Sequence, residues 1–246
     1  MQNRYVGDVG DFGKYALLRV LVAVPTNLAI VWCLYPDEDH NSDGKHVSYL
    51  GKNQYRSLDS DLYDSMKRLV YTDNRSVAAV RRERLFPEKT VYFEPSLRDA
   101  SVKASRAVRM YYRENWLGEC LALTRKSDLV FFDPDNGLAP SSKSKGDPNA
   151  GKYIFLDEVL HFTSRGQSLV LYHHINRTAS AETQANTLAK VLQEASGFQA
   201  FPLLYRRGSC RIFCVLAAPR HARSFKNAID EMLDRWRGYF ELSAAI

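Results

Sequence analysis

The chain has 246 residues, 45% hydrophobic and 25% charged, which places it among ordinary folded domains and excludes a disordered tail. A formal charge of +6 and a sequence pI near 9.1 permit a phosphate-rich partner such as a nucleic acid without requiring one. Four cysteines, Cys33, Cys120, Cys210 and Cys214, form no CxxC pair and mostly sit inside apolar runs, so neither a zinc site nor a structural disulfide is expected.

Residues 1–19 carry Asp8 and Asp11 where a secretory leader carries only positive charge, and no apolar run approaches the roughly 18 residues of a membrane span. A cytoplasmic protein without membrane contact is expected. Gly7, Gly10 and Gly13 stand three apart, and Leu17, Leu18, Leu21 and Val22 then recur at helical spacing. Asp11 is the expected N-cap, with Lys14 in the first turn and Pro25 beyond the last. The glycines mark either a turn into a buried helix or a loop that touches a ligand. They are not the dinucleotide fingerprint, because their spacing differs and no strand comes before them.

Residues 28–35, LAIVWCLY, read as a buried strand, and the loop after it gathers Asp37, Glu38, Asp39, His40, Asn41, Asp43 and His46. From Asp39 the string D-x-N-x-D-G copies half of a calcium loop, but Leu50 stands where the bidentate Glu is required, which excludes an EF-hand. What remains is a cluster of oxygen and imidazole groups at a strand's carboxyl end, either a solvated acidic loop or part of a site. Residues 53–70 and 74–85 look helical, the second with Arg75, Arg81, Arg82 and Arg84 on a face turned to solvent or to phosphates. Residues 90–93 form a short strand ending at Glu94, and 102–123 a long helix with Val108, Tyr111, Tyr112, Trp116 and Leu117 as core contacts.

The stretch 128–138, DLVFFDPDNGL, organises the rest. An apolar strand, 129–132, ends abruptly in Asp133, Asp135 and Asn136, and in open α/β sheets the chemistry sits outside the carboxyl ends of strands. Residues 139–152 follow as a Ser-, Gly- and Lys-rich loop, a basic lid carrying Lys143, Lys145 and Lys152 or a plain insertion. Asp157 and Glu158 fall near a helix start. Residues 167–175 are the next buried strand, with His173 and His174 on opposite faces, so at most one points toward a shared site. A helix over 178–195 comes next, then two strands, 198–205 and 210–217, joined as a hairpin through Gly208-Ser209. From Pro219 a final amphipathic helix carries Phe225, Ile229, Met232, Leu233 and Trp236. Alternating strands and helices predict one α/β domain over 1–246, a Rossmann-like, doubly wound, mainly parallel sheet with a C-terminal antiparallel hairpin.

The string GDFGKYALLR, with Asp11, Lys14 and Tyr15, the strand end Asp133-Pro134, and the RRGSCRIFCVLAAP hairpin together resemble the 23S ribosomal RNA adenine-N6 methyltransferase family of the large-subunit J type. That family has the class I S-adenosylmethionine-dependent methyltransferase fold. The resemblance implies that Asp11 and Lys14 open a helix contacting cofactor or substrate, and that Asp133 holds the target amine. It departs where Tyr15 replaces a histidine, where Asp135 and Asn136 replace the Pro-Tyr of an Asp-Pro-Pro-Tyr motif, and where only Gly44 stands for a glycine-rich loop. The function it implies is a divergent S-adenosylmethionine-dependent methyltransferase acting on a nucleic acid, with Asp37 or Glu38 holding the cofactor and Glu94 its ribose hydroxyls. Two alternatives stay open. One is a Mg²⁺- or Mn²⁺-dependent nuclease or phosphodiesterase using Asp37, Asp39, Glu94, Asp133 and Asp135, with His40, His46 or His173 as base. The other is a non-catalytic module that binds a nucleic acid or a protein.

Overall fold

A computed structural model describes residues 1–24, 26–38, 44–97 and 104–243. Its frame is a seven-stranded mixed sheet built from β1 (Leu28–Val31), β2 (Val91–Phe93), β3 (Leu129–Phe132), β6 (Ser168–His174), β7 (Gln199–Arg207), β8 (Ser209–Ala217) and β9 (Phe240–Leu242). A separate parallel pair, β4 (Gly137–Leu138) and β5 (Tyr153–Ile154), stands beside it. The order across the sheet is β2-β1-β3-β6-β8-β7-β9. The contacts among β2, β1, β3 and β6 are parallel, and those among β6, β8, β7 and β9 are antiparallel. Strands β2, β1, β3, β6 and β7 therefore run one way, and β8 and β9 the other. The hairpin turns at Gly208, whose φ of 71° suits a residue without a Cβ. Strand β9 was not foreseen, because FEL is too short to carry an alternation signal.

Strands β1 and β3 are buried at every position and pair from Leu28↔Leu129 to Val31↔Phe132. Burial on both faces is why their sequences are continuous apolar runs. Alternate residues feed two layers. Leu28, Ile30, Trp32, Leu129 and Phe131 pack with α1 (Val9–Leu21), α3 (Ser60–Tyr71), α4 (Val77–Arg82) and α8 (Ala222–Arg235). Ala29, Val31, Val130 and Phe132 pack with α5 (Arg106–Leu123), α6 (Leu156–Thr163) and α7 (Ala181–Ser196). No helix among the described residues is long and apolar enough to cross a membrane. All four cysteines are free thiols, and burial pushes those of Cys33 and Cys214 up to about 12.

Several expected boundaries move for identifiable reasons. Helix α1 is capped by Asp8, not Asp11: the Asp8 carboxylate accepts from Gly10 N–H at 2.8 Å after Gly7 turns the chain at φ +83°. Asp11 thus sits in the first turn and Lys14 in the second. The stretch 53–70 divides into α2 (Asn53–Arg56) and α3, because the Asp59 side chain accepts from Leu62 N–H and starts a new helix. Arg75 is half-buried, and its guanidinium donates to the carbonyls of Val6 and Gly44.

On α5 the expected core residues Val108 and Tyr111 are 49% and 68% exposed. Trp116 is buried as expected, and Arg113 and Cys120 complete the inward stripe. A buried arginine is tolerated there because Glu158 holds it at 2.5 and 2.8 Å while the carbonyls of Ala150 and Tyr153 take two more of its donors.

Candidate functional site

The carboxyl ends of β1, β3 and β6 meet the first turns of α1 in a cleft of about 330 Å³, within the range of small-molecule sites. At its floor, Lys14 Nζ lies 2.7 Å from Asp11 Oδ1 and 2.6 Å from Asp133 Oδ2, with all three side chains at most 5% exposed. The spacing of Asp11 and Lys14 puts both on the same helix face, and β3 delivers Asp133 opposite them. Burial alone would lower the Lys14 ammonium, but attraction from Asp11 and Asp133 outweighs it and holds the group above its usual range. Asp11 moves up, chiefly through burial and then through repulsion from Asp133, against the pull of Lys14. With two carboxylates facing one ammonium, Lys14 stays protonated and is a positioning group, not a base. Tyr15 donates to Asp11 Oδ2 at 3.3 Å, and the Tyr172 ring lies 5.7 Å from Lys14 Nζ.

Asp135 and Asn136 continue from Asp133 into the same cleft. Asp135 Oδ2 accepts from Gln2 Nε2 at 2.7 Å, and its Oδ1 stands 2.7 Å from the Met1 nitrogen as an ion pair without a directed hydrogen bond. The Met1 nitrogen instead donates to Cys33 O and Asp133 O, at 3.1 and 2.8 Å. Asn136 gives its backbone N–H to Lys152 O and accepts from His174 N–H through its own carbonyl. Its side-chain amide is uncommitted among the described residues. Glu38 lines the opposite wall, bound by Lys152 at 2.6 and 2.7 Å and by Gln2 Nε2 at 3.0 Å.

Of the expected site residues, Asp11, Lys14, Glu38, Asp133, Asp135 and Asn136 line this one cleft. Asp37 and Glu94 do not. Asp37 is exposed and accepts from Arg4 N–H at 3.3 Å. Glu94 lies just past the end of β2, with a buried Oε1 that has no hydrogen-bond partner among the described residues. Asp39, His40, Asn41 and Asp43 fall outside the described residues. Among the described residues no three His, Cys, Asp or Glu side chains are grouped as a metal site.

Other lining residues carry little sequence signal. Asp8 caps α1, accepts from His46 N–H at 3.0 Å and pairs with Arg211 at 3.0 Å, joining the helix start to β8 across 203 positions. The Arg211 guanidinium packs directly over Gly10, and a Cβ there would make the arginine shift. The two histidines divide as alternation demands. His174 lines the cleft, while His173 turns away to accept from Leu138 N–H at 3.1 Å, where burial lowers its pKa to about 4. Burial also raises the Tyr172 hydroxyl to about 12.

Five carboxylates (Asp8, Asp11, Glu38, Asp133 and Asp135) face three cationic side chains (Lys14, Lys152 and Arg211). The balance stays negative with the Met1 amine included. An acidic cleft in a basic protein favours a ligand with a cationic centre and resists a phosphate. A larger open groove of about 1330 Å³ runs between α1, α3 and α8, but its Arg19 and Arg56 are already paired with Asp59 and Asp64. The smaller cleft concentrates the unusual chemistry. No protein-family model matches the chain, and no curated protein matches it.

Proposed function

We propose that the chain is an S-adenosylmethionine-dependent methyltransferase acting on a nucleic acid, with a Rossmann-like, doubly wound sheet and a cytoplasmic location. The observation that carries this reading is the Lys14–Asp133 contact at 2.6 Å. It joins, across 119 positions, the two strings on which the family resemblance rests.

The residues suit the cofactor in two respects. The cleft's surplus of carboxylates complements a sulfonium and an ammonium group, and outside the cleft Glu94 Oε1, without a hydrogen-bond partner among the described residues, offers an acceptor for ribose hydroxyls. When bound, the cofactor supplies an electrophilic methyl group. Everything else is alignment by the protein. Asp133, held by Lys14, accepts from the target amine and fixes its direction, and the free amide of Asn136 reads a neighbouring edge of the base. Glu38 and Asp135 hold cationic parts of the cofactor. Lys14 holds Asp133 Oδ2 and orients the buried carboxylate, so that its second oxygen remains for the substrate.

Transfer of a labelled methyl group from S-adenosylmethionine to RNA or DNA tests the reading. Asp133→Ala should abolish transfer and retain most cofactor affinity, because Lys14 keeps Asp11 as its partner. Full transfer by this variant would overturn the assignment, and a purified protein that binds no S-adenosylmethionine would overturn the function.

A further inference from the structure

Of the three lysines in the loop 139–152, Lys145 is drawn away to Asp157 and Glu158, and Lys143 donates to the Asn149 side-chain oxygen; only Lys152 lines the cleft. Its ammonium lies 2.6 and 2.7 Å from the two oxygens of Glu38 and 5.0 Å from the centre of the Tyr35 ring. The cleft's cationic side chains are held very differently. Lys14 is 5% exposed between two carboxylates, and Arg211 is 12% exposed, bound to Asp8 and to the carbonyls of Arg207 and Ser209. Lys152 is 20% exposed, and among the described residues Glu38 is the one polar partner of its ammonium. Neither Lys14 nor Arg211 can leave without stranding buried carboxylates, whereas Lys152 can turn its ammonium to water. Glu38 is fixed in place: its Oε2 accepts from Gln2 Nε2, and its backbone N–H donates to Gln2 Oε1, each at 3.0 Å, with Gln2 fully buried. The Lys152 backbone is anchored as well, since its carbonyl accepts from Asn136 N–H and its N–H donates to Asn149 O. Movement is therefore confined to the Lys152 side chain.

A rigid carboxylate on the cleft wall, covered by a tethered cation that water can take, is the arrangement of an internal competitor. We infer that Lys152 and the cofactor compete for Glu38: the ammonium of the cofactor's amino-acid end takes the carboxylate, and the Lys152 ammonium turns outward. The inference rests on the methyltransferase reading, which gives Glu38 a cationic part of the cofactor, and adds a control on its affinity. Because one ion pair replaces another, the cleft binds the cofactor less tightly than its surplus of carboxylates allows. The product of methyl transfer keeps the same ammonium, so the competitor also speeds its release.

The test is calorimetric titration of the full chain with S-adenosylhomocysteine, which carries the ammonium without the sulfonium, and with methylthioadenosine, a nucleoside thioether that lacks the amino-acid end. Lys152→Gln should tighten S-adenosylhomocysteine about fivefold, the equivalent of a partly exposed ion pair worth about 1 kcal/mol, and leave methylthioadenosine unchanged. In a Glu38→Gln background the same substitution should change neither. Raising salt should weaken S-adenosylhomocysteine binding more in Lys152→Gln than in the wild type, because only the variant gains an ion pair on binding. Equal affinity of the wild type and Lys152→Gln overturns the competition. Weaker binding by the variant overturns it too, by assigning Lys152 to the ligand's carboxylate, and so does a tightening that persists without Glu38, which is a general effect of charge. In these three cases binding of S-adenosylhomocysteine leaves the cleft reading standing, whereas no binding by either the wild type or Lys152→Gln removes both.

Discussion

Replacing Lys14 by Met strands two buried carboxylates that share one ammonium. Asp11 and Asp133 are each 3% exposed at the side chain, so solvent does little to compensate them. Removing one partner of a buried pair costs roughly 3–5 kcal/mol, a large part of the roughly 5–15 kcal/mol that holds a domain folded. The loss should depend on pH in a definite direction. Without the ammonium, the folded-state pKa of Asp11 rises further above the unfolded value of 3.8, so the folded state binds more protons and the deficit shrinks as pH falls toward that value. Urea unfolding at pH 8 and pH 5 should show a deficit at least about 1.4 kcal/mol larger at pH 8, the equivalent of one pKa unit. Adding Asp11→Asn to Lys14→Met should recover much of the stability at pH 8 by leaving one carboxylate instead of two. A deficit below about 1 kcal/mol, equal at both pH values, would refute the description of this cluster as a buried charge triad.

Three further outcomes follow from particular contacts. His173 is held neutral, with its pKa lowered from 6.5 to about 4, so the unfolded chain binds more protons between those values and stability falls as pH drops through that window. The contribution is at most roughly 3 kcal/mol, and His173→Gln should flatten the acid side of the unfolding curve; an unchanged pH profile would contradict it. Gly13→Ala would place a Cβ 2.6 Å from the Tyr205 ring and should cost about 1–3 kcal/mol in urea unfolding, with relief by Tyr205→Leu; equal stability would mean that α1 does not approach β7 this closely. Arg113→Met leaves Glu158 buried without its partner and should lower stability by roughly 3–5 kcal/mol, while Arg113→Met with Glu158→Gln should be milder; equal losses would deny the pairing.

The parts legible in sequence were those set by local pattern. The runs LAIVWCLY and LVFF announced buried strands, although the first stops at Val31, the string RRGS announced the hairpin turn, and the apolar spacing of Phe225, Ile229, Met232 and Trp236 announced α8. The end of β3 was legible as well, because two aspartates and an asparagine after four apolar residues have no packing reason to be there. What depended on long-range partners was not. Asp11 resembles a cap as well as Asp8 does, and only Arg211, packed alongside from β8, and the His46 N–H distinguish them. Gln2 gave no signal, since a glutamine near a chain end carries no pattern, yet it bridges Glu38 and Asp135. Helical spacing places Val108 and Tyr111 in the core, whereas the helix turns inward along Arg113, a residue whose burial could be foreseen only by pairing it with Glu158.

The most direct test of the account is calorimetric titration of the purified protein with S-adenosylmethionine and, separately, with S-adenosylhomocysteine, Mg²⁺ and Mn²⁺. Because the cleft carries more carboxylates than cations, S-adenosylmethionine should bind with micromolar affinity and more tightly than S-adenosylhomocysteine, which lacks the sulfonium charge, and Glu94→Gln should weaken both. Binding of a divalent cation with no binding of either nucleoside would contradict the account and move the carboxylates at the strand ends to metal-dependent chemistry.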